Sequence, residues 1–276
     1  MAWHARLELA YTREASRTDV RHTHQGPLRI LQSLYPEGEA ICHNVLVHPP
    51  GGIVGGDTLD ITVTGASASH ALVTTPGATR FYKSLGDRAL QRTRIRLEPG
   101  ARLEWLPQEA ICYSGCLAEN RLEMDLVAGA EMIGWDVTAL GLPAARQPFE
   151  KGHLLQHIEL RGAWLERGHI DAQDRRLMHG PIGLAGHTCT ATVFFCAGAA
   201  LDRQRVHQLL DGARAIIDSH PLRAQAGATS PNDQVVLMRV LAPMVEPAMD
   251  LLRQVRGAWR SAAWTLPPHA PRIWAT

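Results

Sequence analysis

Charge of one sign is the first thing this chain lacks. Lys and Arg total 28 against 27 Asp and Glu, a formal net charge of +1 over 276 residues. Neither nucleic acid nor an anionic membrane is therefore an expected partner. Aromatic residues are scarce at 5%. The longest mainly apolar run, residues 191–201, falls far short of the ~20 residues a membrane span needs. Cysteines number five, an odd count without a C-x₂-C pair, and residues 1–8 carry no apolar core or cleavage site of an export signal. The expectation is a cytoplasmic protein with reduced thiols. Also missing are the phosphate-cradling G-x-x-x-x-G-K-[ST], a helix-opening G-x-G-x-x-G, the zinc motif H-E-x-x-H and the nucleophile elbow G-x-S-x-G. No low-complexity segment and no repeat of 20–50 residues appears.

What is present is mostly strand pattern. Leu59, Ile61 and Val63 alternate with polar residues, as do Leu122, Met124 and Leu126. In 188–195, Cys189, Ala191, Val193 and Phe195 share one side and three threonines the other. Weaker alternation runs through 41–47, 71–75, 90–97, 132–139 and 153–160, with turn signals between. This spacing predicts a mainly β fold of many strands, β-helix-like or stacked sheets, with mainly antiparallel pairing. Two segments switch to helical period: Val206, Leu209, Leu210, Ala213, Ile216 and Ile217, then Ala248, Leu251, Leu252, Val255 and Trp259. Residues 229–233 read as a turn between the first helix and a strand at 234–240. The simplest organisation is a single domain over 1–276: a β body to about 200, a helix–strand–helix region over about 201–262, and a Pro/Trp tail at 263–276.

The densest chemistry lies in three clusters. The first is His48-Pro49-Pro50-Gly51-Gly52-Ile53-Val54-Gly55-Gly56-Asp57, whose four glycines and two prolines specify an unusual backbone path. A strand follows it, so no helix dipole awaits an anion. Asp57 reads either as a metal ligand on a path through the protein or as a turn residue bonding nearby amides. The second cluster runs from Thr74 and Thr75 through Pro76-Gly77 to Arg80, Tyr82 and Lys83, residue types that suit partner contact. The third, 103–112, sets Glu104 and Glu109 among apolar residues, where an unpaired charge is costly. Alternation places Glu104 toward a channel or partner and Trp105 toward the core. Paired carboxylates also permit acid–base chemistry, which keeps open a β-rich hydrolase using Glu104 and Glu109. Among histidines, His153 and His157 on one strand stand some 13 Å apart, too far to share an ion. No permanent zinc site is expected; transient binding of a borderline ion such as nickel by imidazole and carboxylate is open. Trp264 and Trp274, read as part of the tail, are candidate interface anchors.

In register, these clusters resemble the urease accessory protein UreD (UreH) family. The resemblance takes in 26–28, 35–38, 129–135 and the closing 271–274, and so spans nearly the whole chain. One stretch departs: Gly141-Leu142 and Arg146-Gln147 stand where the family usually carries Gly-Arg and a downstream Gly-Glu. The resemblance implies a cytoplasmic, mostly β scaffold that is not an enzyme and holds no permanent cofactor. It implies joining UreF and the GTPase UreG on apo-urease and delivering nickel through an internal passage. Asp57, His48, Thr74, Thr75, Glu104 and Glu109 are the expected lining, with Gly51, Gly52, Gly55 and Gly56 shaping the loop. The alternative is a structural adaptor that reshapes urease without conducting nickel.

Overall fold

The computed structural model describes residues 2–275. The strands are β1 (His4–Glu14), β2 (Arg17–Gln25), β3 (Arg29–Leu34), β4 (Cys42–Val47), β5 (Thr58–Gly65), β6 (His70–Thr74), β7 (Thr79–Phe81), β8 (Ala89–Leu97), β9 (Arg102–Leu106) and β10 (Ala110–Cys112). They continue as β11 (Cys116–Leu126), β12 (Glu131–Leu142), β13 (Gln147–Pro148), β14 (Gly152–Leu160) and β15 (Trp164–Asp171), then β16 (Cys189–Ala197), β17 (Ala226–Asn232) and β18 (Val235–Ala242). The helices are α1 (Arg175–His179), α2 (Arg203–Ser219) and α3 (Val245–Trp264).

Two sheets face each other, in the orders β15-β14-β11-β8-β5-β1-β2 and β17-β18-β16-β12-β9-β6-β4-β3. Between β4 and β14 the chain passes from one sheet to the other and back, laying β6, β8, β9, β11, β12 and β14 each parallel to a strand already placed. The result is a β-solenoid-like body. This corrects the antiparallel expectation. Alternation reports which side of a strand is buried, not the direction of its neighbour. A parallel pair needs a crossover, and here a strand of the opposite sheet supplies it where a helix usually would. Antiparallel pairing is found at β1–β2 and β3–β4, at β14–β15 and β12–β16–β18–β17, and where the two-residue β13 folds back on the end of β12.

The alternating residues divide between two cores. Leu59, Ile61, Val63, Leu122 and Met124 fill the space between the sheets. Val193 and Phe195, with Ile133 and Trp135, face the other way and meet Leu209, Ala213, Leu251, Leu252, Val255 and Trp259 of α2 and α3. Both helices lie where the 3.6 period puts them, and α2 starts at Asp202, whose carboxylate accepts from the Arg205 amide at 2.8 Å. A single turn, α1, escaped the periodic reading because five residues carry no period. Residues 226–232, read in part as a turn, are a strand; the reversal is at 233–234. Among the described residues no helix is long and apolar enough to cross a membrane.

Candidate functional site

The glycine loop joins β4 to β5 and lies against the segment 80–87. A Cβ on Gly52 would stand 2.3 Å from the Tyr82 ring, and one on Gly55 would stand 2.1 Å from the Ser84 hydroxyl. Gly51 and Gly56 take positive φ at +74° and +89°. The close approach lets Ile53 bridge to Phe81, its amide donating to Arg80 O at 2.8 Å and its carbonyl accepting from Tyr82 N at 3.0 Å. Asp57 is buried, and its carboxylate accepts from the Val54 amide at 3.0 Å and the Trp3 amide at 3.1 Å. That is the turn role, closing the loop and tying it to the chain start.

Beside the loop opens a cleft of about 290 Å³ lined by His48, Gly51, Thr75, Thr79, Arg80 and Gln91, with Trp105 and Pro107 at its inner side. Burial pushes the His48 pKa down, with Asp57 opposing it, and its Nε2 is buried without a protein partner. A neutral imidazole with a free nitrogen is the form that binds metal. The two threonines part company here. Thr75 stays at the cleft, donating to Gly77 O and accepting from Gln108 N, each at 2.9 Å. Thr74 turns toward the helical layer, donating to Leu106 O at 2.6 Å and accepting from Trp274 Nε1 at 2.9 Å.

From the cleft a polar row runs between the sheets, its three amide side chains half-buried and its carboxylate buried. The parallel register sets Gln91 of β8, Asn120 of β11 and Gln156 of β14 on one rung. Gln91 Nε2 donates to Asn120 Oδ1 at 3.4 Å. From the opposite sheet comes Asp136 of β12, accepting from Asn120 Nδ2 at 2.8 Å, from Gln156 Nε2, and from Thr138 Oγ1 at 3.3 Å. Beyond it, near the sheet edges, Glu166 of β15 pairs with Arg239 of β18. Burial pushes the Asp136 pKa up to about 6, although its hydrogen bonds from Gln156, Thr138 and Asn120 pull the other way; the Glu166 charge adds to the rise. The only charged residue in the run 132–139, Asp136 was the signal in the sequence that strand counting passed over. Among the described residues no three His, Cys, Asp or Glu side chains converge on a metal position.

Glu104 lies elsewhere, correcting the expectation that it faces a channel or partner. It points from β9 toward α3, fully buried, with Arg256 Nε donating to Oε2 at 2.7 Å and Arg260 Nε 3.0 Å from Oε1. His70 Nε2 is 3.7 Å from Oε1. Arg260 also donates to both oxygens of Glu37, at 2.9 and 2.8 Å, and Glu37 meets His43 Nε2 at 2.9 Å. Burial alone would raise the Glu104 pKa, but Arg256, His70 and Arg260 outweigh it and hold it at about 2. Arg256 and Arg260, four apart on the buried side of α3, were visible as two cations on an apolar stripe. Glu109 lines a separate apolar cleft with Ile111, Cys189, Val245 and Glu246. Glu104 and Glu109 thus have different surroundings, the first an arginine-paired buried site and the second an apolar cleft.

The aromatic and basic candidates divide as well. Arg80 and Lys83 are exposed, while Tyr82 is half-buried with its ring centre 4.9 Å from that of Tyr113. Trp264 ends α3 and is not part of the tail; it is buried, donating to Glu131 Oε2 at 2.7 Å and edge-on to His70. Trp274 is half-buried against Trp135, with ring centres 5.2 Å apart. Both indoles are thus occupied within the chain.

Comparison with known proteins agrees along the whole length. The family model described as UreD urease accessory protein matches residues 4–275. The chain is 66% identical to the urease accessory protein UreD of Variovorax paradoxus and 65% identical to that of Polaromonas naphthalenivorans, covering all of both chains in each case. The protein of the same name from Leptothrix cholodnii is 53% identical, again over both full chains. At this identity and coverage, the chain belongs to the UreD urease accessory protein family.

Proposed function

We propose that this chain is a non-catalytic cytoplasmic scaffold that joins UreF and UreG on apo-urease and passes nickel to it through the polar row between the sheets. Nickel is the cargo and is not retained. The observation that carries this reading is Asp136, a buried carboxylate surrounded by amides and a hydroxyl, with no Lys or Arg among the described residues bonded to it. An ionised carboxylate in that setting lacks a counter-charge. A divalent cation moving along the row supplies one, and amide oxygens and water replace part of its hydration. His48 at the cleft extends the line of donors, and Glu166 at the far end, paired with Arg239, closes it. Asp57, whose oxygens already serve two amides, shapes the entrance and does not line it. Thr74 and Glu104 stand outside the row, and Glu109 lies in another cleft.

A structural adaptor that only reshapes urease is the second reading, favoured by the rung Gln91–Asn120–Gln156, because stacked amides also stiffen a sheet. Asp136→Asn separates the two. Removing the charge with little change in shape leaves assembly on apo-urease intact in either case. On the passage reading the nickel content of the urease formed falls severalfold. On the adaptor reading it is unchanged.

A further inference from the structure

On the outer face of the first sheet, antiparallel pairing of β14 with β15 brings together residues far apart in the sequence pattern. His153 lies opposite Asp171, and His169 lies opposite Leu155. Leu154 and Ile170 point into the core, so alternation turns His153, His169 and Asp171 outward on one face. The two imidazoles meet at 68°, with ring centres 5.0 Å apart. Two imidazoles each about 2.1 Å from one shared ion hold their ring centres about 5 Å apart, so the spacing matches. Among the described residues neither ring makes a hydrogen bond to the protein. His157, on the same face of β14, is bonded to Glu159 at 3.0 Å and stands apart from the pair.

We propose that His153 and His169 form an open surface site for a borderline divalent cation, nickel or zinc, with Asp171 adding negative charge and water completing the coordination. Imidazole suits these ions, and a two-ligand open site binds reversibly. The site does not depend on the interior passage, since it lies on the opposite side of β14 from Gln156.

Calorimetric titration of the full chain with nickel chloride tests it. One site per chain is expected, weakened about tenfold or more in His153→Ala and in His169→Ala, a loss at least equal to that for removing a ligand's supporting partner. His157→Ala and Asp136→Asn should leave this site unchanged. Paramagnetic nickel should broaden the imidazole proton signals of His153 and His169 together, ahead of the other histidines. No binding by the wild type, equal binding by all five proteins, or first broadening elsewhere would overturn the assignment.

Discussion

Glu104 and Arg260 meet at 3.0 Å with neither side chain exposed to solvent, so a strand of the solenoid and the last helix are joined by charge inside the protein. Arg256 doubles the link, and through Glu37 it extends to the loop before β4. Breaking one member leaves an uncompensated buried charge. Glu104→Ala is expected to lower unfolding free energy by about 3–5 kcal/mol, read by urea denaturation. A loss below about 1 kcal/mol would show that the cluster does not anchor α3.

Two buried carboxylates give opposite pH dependence. Glu104 has a depressed pKa, so its contribution is complete above the ordinary carboxylate range and fades as pH falls toward about 2. Asp136 has a pKa raised to about 6, so the folded state binds the extra proton and stability falls as pH rises from about 4 to 6. Asp136→Asn should flatten that interval in a series of denaturation curves. An unchanged slope would mean that Asp136 titrates normally.

The glycine loop is held by steric fit against Tyr82. Gly52→Ala places a methyl 2.3 Å from the ring and 2.9 Å from Arg80 O. A cost of about 1–3 kcal/mol is expected. Adding Tyr82→Ala should recover part of it, since the carbonyl clash remains. A double-mutant cycle with no coupling would place the loop elsewhere.

Asp57→Ala removes an acceptor from two backbone amides in a buried turn. Stability should drop by about 1–3 kcal/mol. Nickel transfer per folded chain should stay near wild type, in contrast to Asp136→Asn. A transfer defect in a fully folded Asp57→Ala chain would return Asp57 to the passage.

The sequence made some of this legible and hid the rest for identifiable reasons. Period 2 located β5, β8, β11 and β16, and period 3.6 located α2 and α3, because each pattern records which side of one element is buried. Pairing direction depends on two elements at once, so the parallel solenoid was not readable. The glycine density at 51–56 did mark a close approach, but its object, Tyr82 and Ser84, lies in another coil. Glu104 looked like a channel residue because its partners, Arg256 and Arg260, come from the far end of the chain. Asp136 and the amides of Gln91, Asn120 and Gln156 each look ordinary alone and form a row only through register. The same holds for His153 and His169, joined across a hairpin.

The proposed passage can be tested by closing and reopening the cleft on one protein. The five native cysteines are buried, whereas position 75 lines the open cleft, so Thr75→Cys offers the reactive thiol. Nickel transfer to apo-urease is measured after coupling a bulky group through a mixed disulfide, and again after reduction. Transfer is expected to stop with the group in place and to return when it is released, while the assembly on urease persists throughout. Undiminished transfer with the cleft filled would contradict the passage reading.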